Sequence, residues 1–263
     1  MPLSGKKILI TGANGGLGRA IAKLALEQGA HVALSDRTPQ LAADALAAQA
    51  QDTKAVSLAA DLTHSAQTEA MVAQAIEALD GLDGIVANHA SLAADDSTAS
   101  QTSMTSWQET LDVNLTGTFR LYKAALPFLV KQQSGALVTL SSVVAHSASA
   151  VPQIAYTASK GALEAMTREI AMTHARDNVR ANCVAPGPVK TERTAHYFDS
   201  DEKWEMRRRH IPMGRLGRPE EIAALVCFLL SDGAGWQTGG VYRADGGISA
   251  SYLVDDRNGS DTP

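Results

Sequence analysis

The hydrophobic positions of this chain follow two alternating patterns. Short continuous apolar runs, bounded by glycine or polar residues, predict strands that are buried on both faces, as in a parallel sheet. Longer stretches with apolar residues three and four positions apart predict amphipathic helices. The predicted strands cover residues 7–11, 31–35, 55–60, 83–87, 136–141, 179–184 and 240–243.

Helices are predicted between these strands. Pro219 suits the first position of the last one, and the two glutamates that follow it favour the first turn of a helix. The earlier helices cover residues 16–28, 39–51, 65–79, 104–132 and 155–175. Seven strands alternating with six helices predict an α/β fold, a doubly wound and mostly or wholly parallel sheet with helices on both faces. No linker or repeat divides the 263 residues, so we expect one domain over residues 1–263.

Composition narrows the classes of partner. The formal net charge of −5 and the pI of about 5.8 argue against a nucleic-acid or anionic membrane surface. Cys183 and Cys227 both lie in apolar runs and are interpreted as buried thiols of a reducing compartment, not as a disulfide or a metal pair. No apolar stretch has the length of a signal or membrane-spanning segment. We therefore expect a cytoplasmic protein with no membrane, nucleic-acid or metal partner.

Ligands of such sheets bind outside the carboxyl ends of the strands. The first strand ends in a glycine-rich turn, whose backbone can approach a pyrophosphate and whose helix offers free N–H groups. Its pattern, Thr11-Gly12-xxx-Gly16-x-Gly18, is not the GxGxxG fingerprint, so a tight turn without a ligand remains the alternative. The residues that follow the other strands are Asp36, Asp61, Asn88, Ser141 with Ser142, and Pro186 with Gly187.

Asp36 ends the second strand, 18 residues after Gly18. A carboxylate at this place accepts hydrogen bonds from ribose hydroxyls and repels a 2′-phosphate, which favours NAD over NADP. Arg37 alone would favour NADP, because a guanidinium can bind the phosphate. Asp61 can receive the adenine amino group, or it can be a turn residue before Thr63.

Tyr156 and Lys160 are four residues apart and share one face of a predicted helix. A positive charge beside a phenol favours the phenolate, the form that acts as a base. Ser142 offers a hydroxyl that can polarise a substrate oxygen. Asn114 interrupts the helix over residues 104–132, where its side chain could hold a bend open and bind a water. Each of these residues alone has an ordinary structural explanation, so their occurrence together carries the prediction.

Taken together, these residues resemble the short-chain dehydrogenases/reductases over about residues 4–249. The resemblance implies a Rossmann fold and an NAD(P)-dependent oxidoreductase that acts on an alcohol or a carbonyl. The motifs that carry it, in the order of the family, are Thr11-Gly12-xxx-Gly16-x-Gly18, Asn88, Asn114, Ser142, Tyr156-xxx-Lys160, Pro186-Gly187 and Asp245-Gly246-Gly247.

The resemblance also implies roles for individual residues. Tyr156 is the general acid/base, Lys160 favours its ionised form and binds the nicotinamide ribose, Ser142 orients the substrate oxygen, and Asn114 holds a water in the proton relay. The expected cofactor, NAD with NADP as second choice, is bound by Tyr156, Lys160 and the residues Gly12, Asn14, Gly15, Gly16, Leu17, Gly18, Asp36, Arg37, Asp61, Leu62, Asn88, Pro186, Gly187, Val189 and Thr191.

The chain departs from the family pattern in two places. The usual Asn-Asn-Ala-Gly is Asn88-His89-Ala90-Ser91 here, which leaves the conformation of that loop open. The spacing of 14 residues from Ser142 to Tyr156 is one more than usual, which predicts one extra residue in the loop between them. Ser141 is the second candidate for the serine, after Ser142. His146 lies in the same loop, where it could reach substrate, although a solvent-facing histidine is the favoured interpretation.

Substrate choice is expected in the variable stretches 92–103, 143–154 and 190–214, of which the third can be a mobile lid with a charged helical segment over 201–209. Its arginines could bind an anionic substrate, although a solvated helix face is favoured: Arg193, Arg207, Arg208 and Arg209. The tail after Ala250 is polar and expected to be loose.

The leading hypothesis is an NAD-dependent dehydrogenase of a secondary alcohol. Its alternatives are an NADPH-dependent ketoreductase of the 3-oxoacyl thioester type and a catalytically silent nucleotide-sensing protein on the same fold. Family members are commonly homotetramers packed through the helices that match 104–132 and 155–175. Small residues suit such packing here, although burial within the subunit also explains them: Ala158, Gly161, Ala162 and Ala165.

Overall fold

The computed structural model describes residues 1–38, 52–149, 151–192 and 194–251. The predicted helix over 39–51, Arg193, and the tail from residue 252 onwards lie outside the described residues. The strands are β1 Lys7–Thr11, β2 His31–Asp36, β3 Ala55–Ala59, β4 Gly84–Ala87, β5 Gly135–Leu140, β6 Val179–Pro186 and β7 Val241–Ala244. The described helices, numbered here in chain order, are α1 Gly16–Glu27, α2 Ser65–Leu79, α3 Met104–Leu111, α4 Gly117–Gln132, α5 Ile154–His174, α6 Asp201–Arg208 and α7 Pro219–Leu230.

The seven strands form one sheet in the order β3-β2-β1-β4-β5-β6-β7. Every pairing is parallel. After β3 at one edge, the chain returns to place β4 on the other side of β1, so the strand order reverses between β1 and β4. A crevice forms at such a reversal, outside the carboxyl ends of the strands, and it is where this class of sheet binds ligands. The predicted doubly wound parallel fold is confirmed.

The sheet separates two hydrophobic cores. One joins α1 and α7 to the sheet through side chains such as Ile21 and Ile222. The other lies on the opposite face, where α2, α4 and α5 cover the sheet with Met71, Leu121 and Ala171 among the buried residues. Every residue of β5 is buried, because helices cover both faces of a central parallel strand.

The predicted long helix over 104–132 is divided in two. Residues Asp112–Thr116 form one π-helical turn between α3 and α4. The predicted bend therefore exists, and it is an extra residue in the helical ladder that moves the position of Asn114 relative to a regular helix. Such turns are frequent at functional sites because they redirect a side chain without ending the helix.

Candidate functional site

The glycine turn after β1 is packed too tightly for side chains. Gly12 has φ of +62°, and a Cβ there would lie 2.7 Å from the Cα of His89. A Cβ on Gly18 would lie 2.2 Å from the Gly12 carbonyl oxygen. Gly15, the residue before α1, has no side chain that could cap the helix. The first N–H groups of α1 can therefore serve a bound anion, so the turn fits the pyrophosphate of a dinucleotide.

The segment after β6 lies over this turn. The Gly187 N–H donates to the Ala244 carbonyl at 3.0 Å, which directs the chain from Pro186 across the edge of the sheet. A Cβ on Gly16 would lie 3.0 Å from the side chain of Thr191. Val189 between them is buried in the first core. The structure thus brings Thr191 beside the glycine turn, as a shared cofactor site requires.

Asp36 lies at the other side of the turn. Its Oδ2 accepts a 3.1 Å hydrogen bond from the Asn14 N–H, and its Oδ1 accepts one of 2.8 Å from the Arg37 N–H. The side-chain amide of Asn14 donates to the Thr38 carbonyl at 3.0 Å. These bonds fix the carboxylate at the rim of the turn, whereas Arg37 itself is exposed.

Asp61 takes part in a local turn. Its Oδ1 accepts from both the N–H and the hydroxyl of Thr63, at 2.9 and 2.7 Å. Burial disfavours the ionised form, but the hydrogen bonds from Thr63 outweigh it, so the pKa of Asp61 lies below its ordinary value. Asp61 is thus a turn residue before Thr63, as the alternative interpretation expected, and its contact with the adenine amino group stays a prediction. The neighbouring Leu62 packs its side chain into the second core.

The loop after β4 is held against β1 and α4. The Asn88 amide donates to the Gly12 carbonyl at 2.9 Å. The His89 ring lies between two hydroxyls, with Nδ1 2.7 Å from Thr11 Oγ1 and Nε2 3.2 Å from Thr118 Oγ1. Burial, with a smaller contribution from the positive charge of Lys160, lowers the pKa of His89 to about 3. A neutral imidazole thus stands where the family has asparagine, and it ties three elements together.

Asn114 is fully buried in the π-helical turn. Its Oδ1 accepts from the Ser91 N–H at 2.7 Å, and its Nδ2 donates to the Ser91 carbonyl at 2.9 Å and to Ser159 Oγ at 3.0 Å. These bonds fix the backbone at Ser91, which departs from the family pattern together with His89. Ser159 Oγ donates in turn to the Tyr156 carbonyl at 2.7 Å. Asn114 therefore connects the loop after β4 to the start of α5.

Tyr156 and Lys160 lie one turn apart on α5, as predicted. Lys160 Nζ is 5.3 Å from the centroid of the Tyr156 ring. The Lys160 side chain is 2% exposed, and its ammonium donates to the Leu140 carbonyl at 2.8 Å. Leu140 ends β5 two residues before Ser142, so this bond holds α5 against the strand end that carries the serine. A buried ammonium thus lies beside the half-buried ring of Tyr156, and charges act more strongly where water is excluded.

The two serines after β5 have different environments. Ser141 is buried and donates to Glu164 Oε1 at 2.6 Å, so its hydroxyl is occupied by a structural bond. Ser142 is partly buried, and its Oγ accepts a longer bond of 3.4 Å from the Val144 N–H. This contrast favours Ser142 over Ser141 as the serine that meets a substrate.

His146 is exposed, as the favoured interpretation expected, and its ring also contacts α5. Its Nε2 lies 3.1 Å from Glu164 Oε1, the same oxygen that Ser141 binds. The sequence reasoning missed Glu164 altogether. The available signal was its spacing, since Glu164 follows Lys160 by four residues on the same face of the helix.

The predicted lid over 190–214 contains α6 and a short aromatic cluster. Phe198 and Trp204 make an edge-on ring contact with centroids 6.2 Å apart, and the Arg207 guanidinium lies 5.5 Å from the Phe198 ring. Arg208 makes a bidentate ion pair with Glu205, at 2.8 Å for both bonds. The hydrogen bonds from Arg208 lower the pKa of Glu205 to about 2. This pairing supports the interpretation of the basic residues as a solvated helix face.

The geometry has a clear chemical capacity. The phenol of Tyr156, the buried ammonium of Lys160 and the hydroxyl of Ser142 all lie at the carboxyl edge of the sheet, which also carries a turn that fits a pyrophosphate. Such a set can move a proton to or from a substrate oxygen while a dinucleotide lies alongside.

Within the described residues, none of the helices combines the length and the apolar composition needed to cross a bilayer.

Comparisons with known proteins agree with this capacity. A protein-family model described as enoyl-(acyl carrier protein) reductase matches residues 12–249. The 2-(S)-hydroxypropyl-CoM dehydrogenase 3 of Xanthobacter autotrophicus is 37% identical, over 94% of this chain and 98% of its own. The 3-oxoacyl-[acyl-carrier-protein] reductase of Aquifex aeolicus is 35% identical, over 94% and 98% of the two chains.

Solved structures resemble the whole chain as well. Levodione reductase has a TM-score of 0.86 and 31% identity, over 95% of this chain and 99% of its own. A structure from Agrobacterium tumefaciens that contains bound NADP has a TM-score of 0.85 and 29% identity, over 95% and 99%.

Proposed function

The chain belongs to the short-chain dehydrogenase/reductase family of oxidoreductases, and from this premise we propose that it interconverts a secondary alcohol and a ketone with NAD. One observation carries the proposal. Tyr156 and the buried ammonium of Lys160 lie on one face of α5, with Nζ 5.3 Å from the ring centroid, at the ligand edge of the sheet. A phenol held beside a permanent positive charge is suited to exchange a proton with a substrate oxygen.

In the proposed reaction Tyr156 is the general acid/base, and it takes the proton from the alcohol or returns it to the ketone. Ser142 donates or accepts a hydrogen bond at the same substrate oxygen. Lys160 stabilises the charged form of the tyrosine and binds the nicotinamide ribose. Asn114 holds the π-helical turn and the start of α5 in register through Ser91 and Ser159, and its part in a water relay remains a proposal.

The proposed cofactor is NAD, bound at the glycine turn. When bound, it supplies the acceptor or donor of the hydride. Asp36 supports NAD because its carboxylate is fixed at the rim of the turn by Asn14 and would meet the extra charge of a 2′-phosphate. NADP stays the second choice, since Arg37 is exposed nearby and a structural relative contains NADP.

The cofactor contacts carried over from the family are part of the proposal. The residues that form the glycine turn and the start of α1 are Gly12, Asn14, Gly15, Gly16, Leu17 and Gly18. Asp36, Asn88 and Thr191 lie against this turn. Pro186, Gly187 and Val189 belong to the segment that carries Thr191.

The substrate is proposed at the level of a chemical class. The relatives include a dehydrogenase of a secondary alcohol, 2-(S)-hydroxypropyl-CoM, and a reductase of 3-oxoacyl thioesters, so both directions occur among proteins that resemble this chain. The 3-oxoacyl thioester reductase is therefore the second candidate. The stretches 92–103, 143–154 and 190–214 border the crevice and would select between substrates, the third as a lid. A silent nucleotide sensor is disfavoured by the complete set of Asn114, Ser142, Tyr156 and Lys160.

The proposed function is tested by turnover. The purified protein is incubated with a panel of secondary alcohols and NAD or NADP, and with ketones and 3-oxoacyl thioesters and the reduced cofactors, while nicotinamide absorbance is followed. Turnover of an alcohol is expected with NAD, and a Tyr156→Phe variant is expected to lose at least about a hundredfold in kcat while still binding the cofactor. A Tyr156→Phe variant that turns over as fast as the parent would reject the mechanism.

Assembly as a homotetramer is proposed on the surface of α5. A Cβ on Gly161 would meet no atom within 4 Å, and Ala165 is exposed, so burial within the subunit does not explain these two small residues. Met172 on the same helix is 80% exposed, and Phe119 on α4 is 53% exposed. A second copy would cover these apolar side chains. Sedimentation of the parent and of a Gly161→Glu variant tests the assembly.

A cytoplasmic location is proposed from the thiols. Cys183 and Cys227 are both buried and unpaired with each other. Burial raises the pKa of each thiol to about 12, so neither is a reactive thiolate.

A further inference from the structure

The first turn of α5 takes its hydrogen-bond acceptors from a distant loop. The N–H groups of Ala155 and Tyr156 donate to the two carboxylate oxygens of Asp96, at 3.0 and 2.9 Å. The N–H of Ile154 donates to the Ser97 carbonyl at 3.1 Å. The residue before the helix makes no side-chain capping bond in the described structure. Asp96 therefore performs, across more than fifty residues of sequence, the task that a local capping residue usually performs.

Asp96 is itself held in place by the loop over 92–103. Its own N–H donates to the Ala93 carbonyl at 3.2 Å. The next residue, Ser97, donates through its N–H to Thr102 Oγ1 at 2.8 Å. Asp95 accepts a hydrogen bond from Ser106 on α3. The loop that carries Asp96 is thus anchored to the first turn of α3 through Asp95, while the Asp96 carboxylate caps α5.

The two Asp96 oxygens are occupied by backbone N–H groups, so this carboxylate is not placed to exchange protons with a substrate. Its negative charge lies at the positive end of α5, where it stabilises the helix. The bond to the Tyr156 N–H acts on the very residue that carries the proposed acid/base. A small displacement of a reacting group lowers the rate steeply.

We propose that Asp96 is a positioning residue, which fixes the orientation of Tyr156 and makes the loop over 92–103 part of the catalytic unit. The effect on rate rests on the proposed function, whereas the effect on the helix does not. Because this loop is bound to the first turn of α5, a substrate that displaces the loop also displaces Tyr156. Substrate choice and proton transfer are then coupled through one carboxylate.

The test compares Asp96→Ala and Asp96→Asn with a control, Asp83→Ala. Asp83 is a matched control because its Oδ2 also accepts a backbone bond, from the Lys7 N–H at 2.8 Å. It lies just before β4, at the opposite end of the strands from the first turn of α5. Amide hydrogen exchange of residues 154–156 is measured in each protein, together with kcat and with KM for alcohol and for NAD. Melting temperatures report on general stability.

Asp96→Ala is expected to speed exchange at residues 154–156 by about tenfold or more and to lower kcat by about tenfold, with KM for NAD within about twofold of the parent. Asp96→Asn keeps one carbonyl oxygen, so its exchange rate and its kcat are expected to lie between those of Asp96→Ala and the parent. It replaces Asp96→Ala in the comparison if that variant does not fold. Asp83→Ala is expected to lower the melting temperature only.

Two results would overturn the proposal. Unchanged exchange in the Asp96 variants would show that Asp96 does not cap α5. Faster exchange with an unchanged kcat would show that Asp96 has a structural role only. If the parent protein turns over no substrate while exchange still responds to Asp96, the proposed function fails and the cap stands.

Discussion

Ser141 donates a 2.6 Å hydrogen bond to the buried carboxylate of Glu164. This bond turns the side chain of Ser141 into the protein at the place where β5 ends. The neighbouring Ser142 has only a 3.4 Å bond from the Val144 N–H and stays partly exposed. The two adjacent serines therefore have different environments: the Ser141 hydroxyl is occupied by a structural bond, and the Ser142 hydroxyl is the one proposed to meet a substrate.

The two serines are expected to respond differently to loss of the hydroxyl. Ser142→Ala should lower kcat by about a hundredfold or more, because a hydrogen bond to the substrate oxygen is lost, and leave stability unchanged. Ser141→Ala should lower the free energy of unfolding by about 1–3 kcal/mol, because a buried carboxylate loses a donor, and change kcat little. Steady-state kinetics and denaturant unfolding of both variants separate the two effects. The reverse pattern would assign the reaction to Ser141.

The loop over 143–154 is expected to depend on the contact between His146 and Glu164. Their atoms lie 3.1 Å apart, and Glu164 is almost fully buried whereas His146 is exposed, so the pair is shielded from solvent on one side only. A double-mutant cycle of His146→Ala and Glu164→Gln should give a coupling of about 1 kcal/mol in the free energy of unfolding. Additive effects of the two substitutions would mean that the contact contributes nothing.

Acid stability should depend on His89. Its pKa is about 3 in the folded protein, against about 6.5 in an unfolded chain. Between these values the unfolded chain binds a proton that the folded protein does not, so stability is lost as the pH falls from above 6.5 towards 3. From pH 7 to pH 5 the loss from this one group should be about 2 kcal/mol.

A His89→Asn variant isolates that contribution. Asparagine does not titrate, so the decrease in the free energy of unfolding from pH 7 to pH 5 should be smaller in the variant than in the parent. Denaturant unfolding at several pH values measures both slopes, and the other histidines cancel in the comparison. Equal slopes would show that His89 is protonated in the folded protein in this range.

Cofactor preference should depend on Asp36. Asp36→Ala removes the carboxylate that accepts from Asn14 and would meet a 2′-phosphate. The ratio of kcat/KM for NAD to that for NADP should fall by about tenfold or more, because a repulsive charge and an acceptor for the ribose are lost together. Arg37→Ala is the matched comparison, which should move the ratio the opposite way. An Asp36→Ala variant with an unchanged ratio would contradict the proposed preference for NAD.

Much of the fold follows from local patterns. The apolar run over β1 predicts both of its ends, helical spacing predicts the start of α2, and a proline predicts the start of α7. Each of these signals acts within a few residues. The spacing of Tyr156 and Lys160 also sets their shared face, because the helical repeat fixes it. The π-helical turn was visible only as an irregularity around Asn114, since the same residues also suit a kink.

What only the tertiary structure decided is the set of partners. His89 between Thr11 and Thr118, and Glu164 with Ser141, are contacts between elements far apart in sequence. Their pairing depends on how loops leave the sheet, and one extra residue in a loop changes it. The sequence by itself determined which chemical groups this protein has and the edge of the sheet they reach, because strand direction and helical spacing are local. Their orientation was decided by packing, because a buried polar group must find a partner wherever the fold brings one.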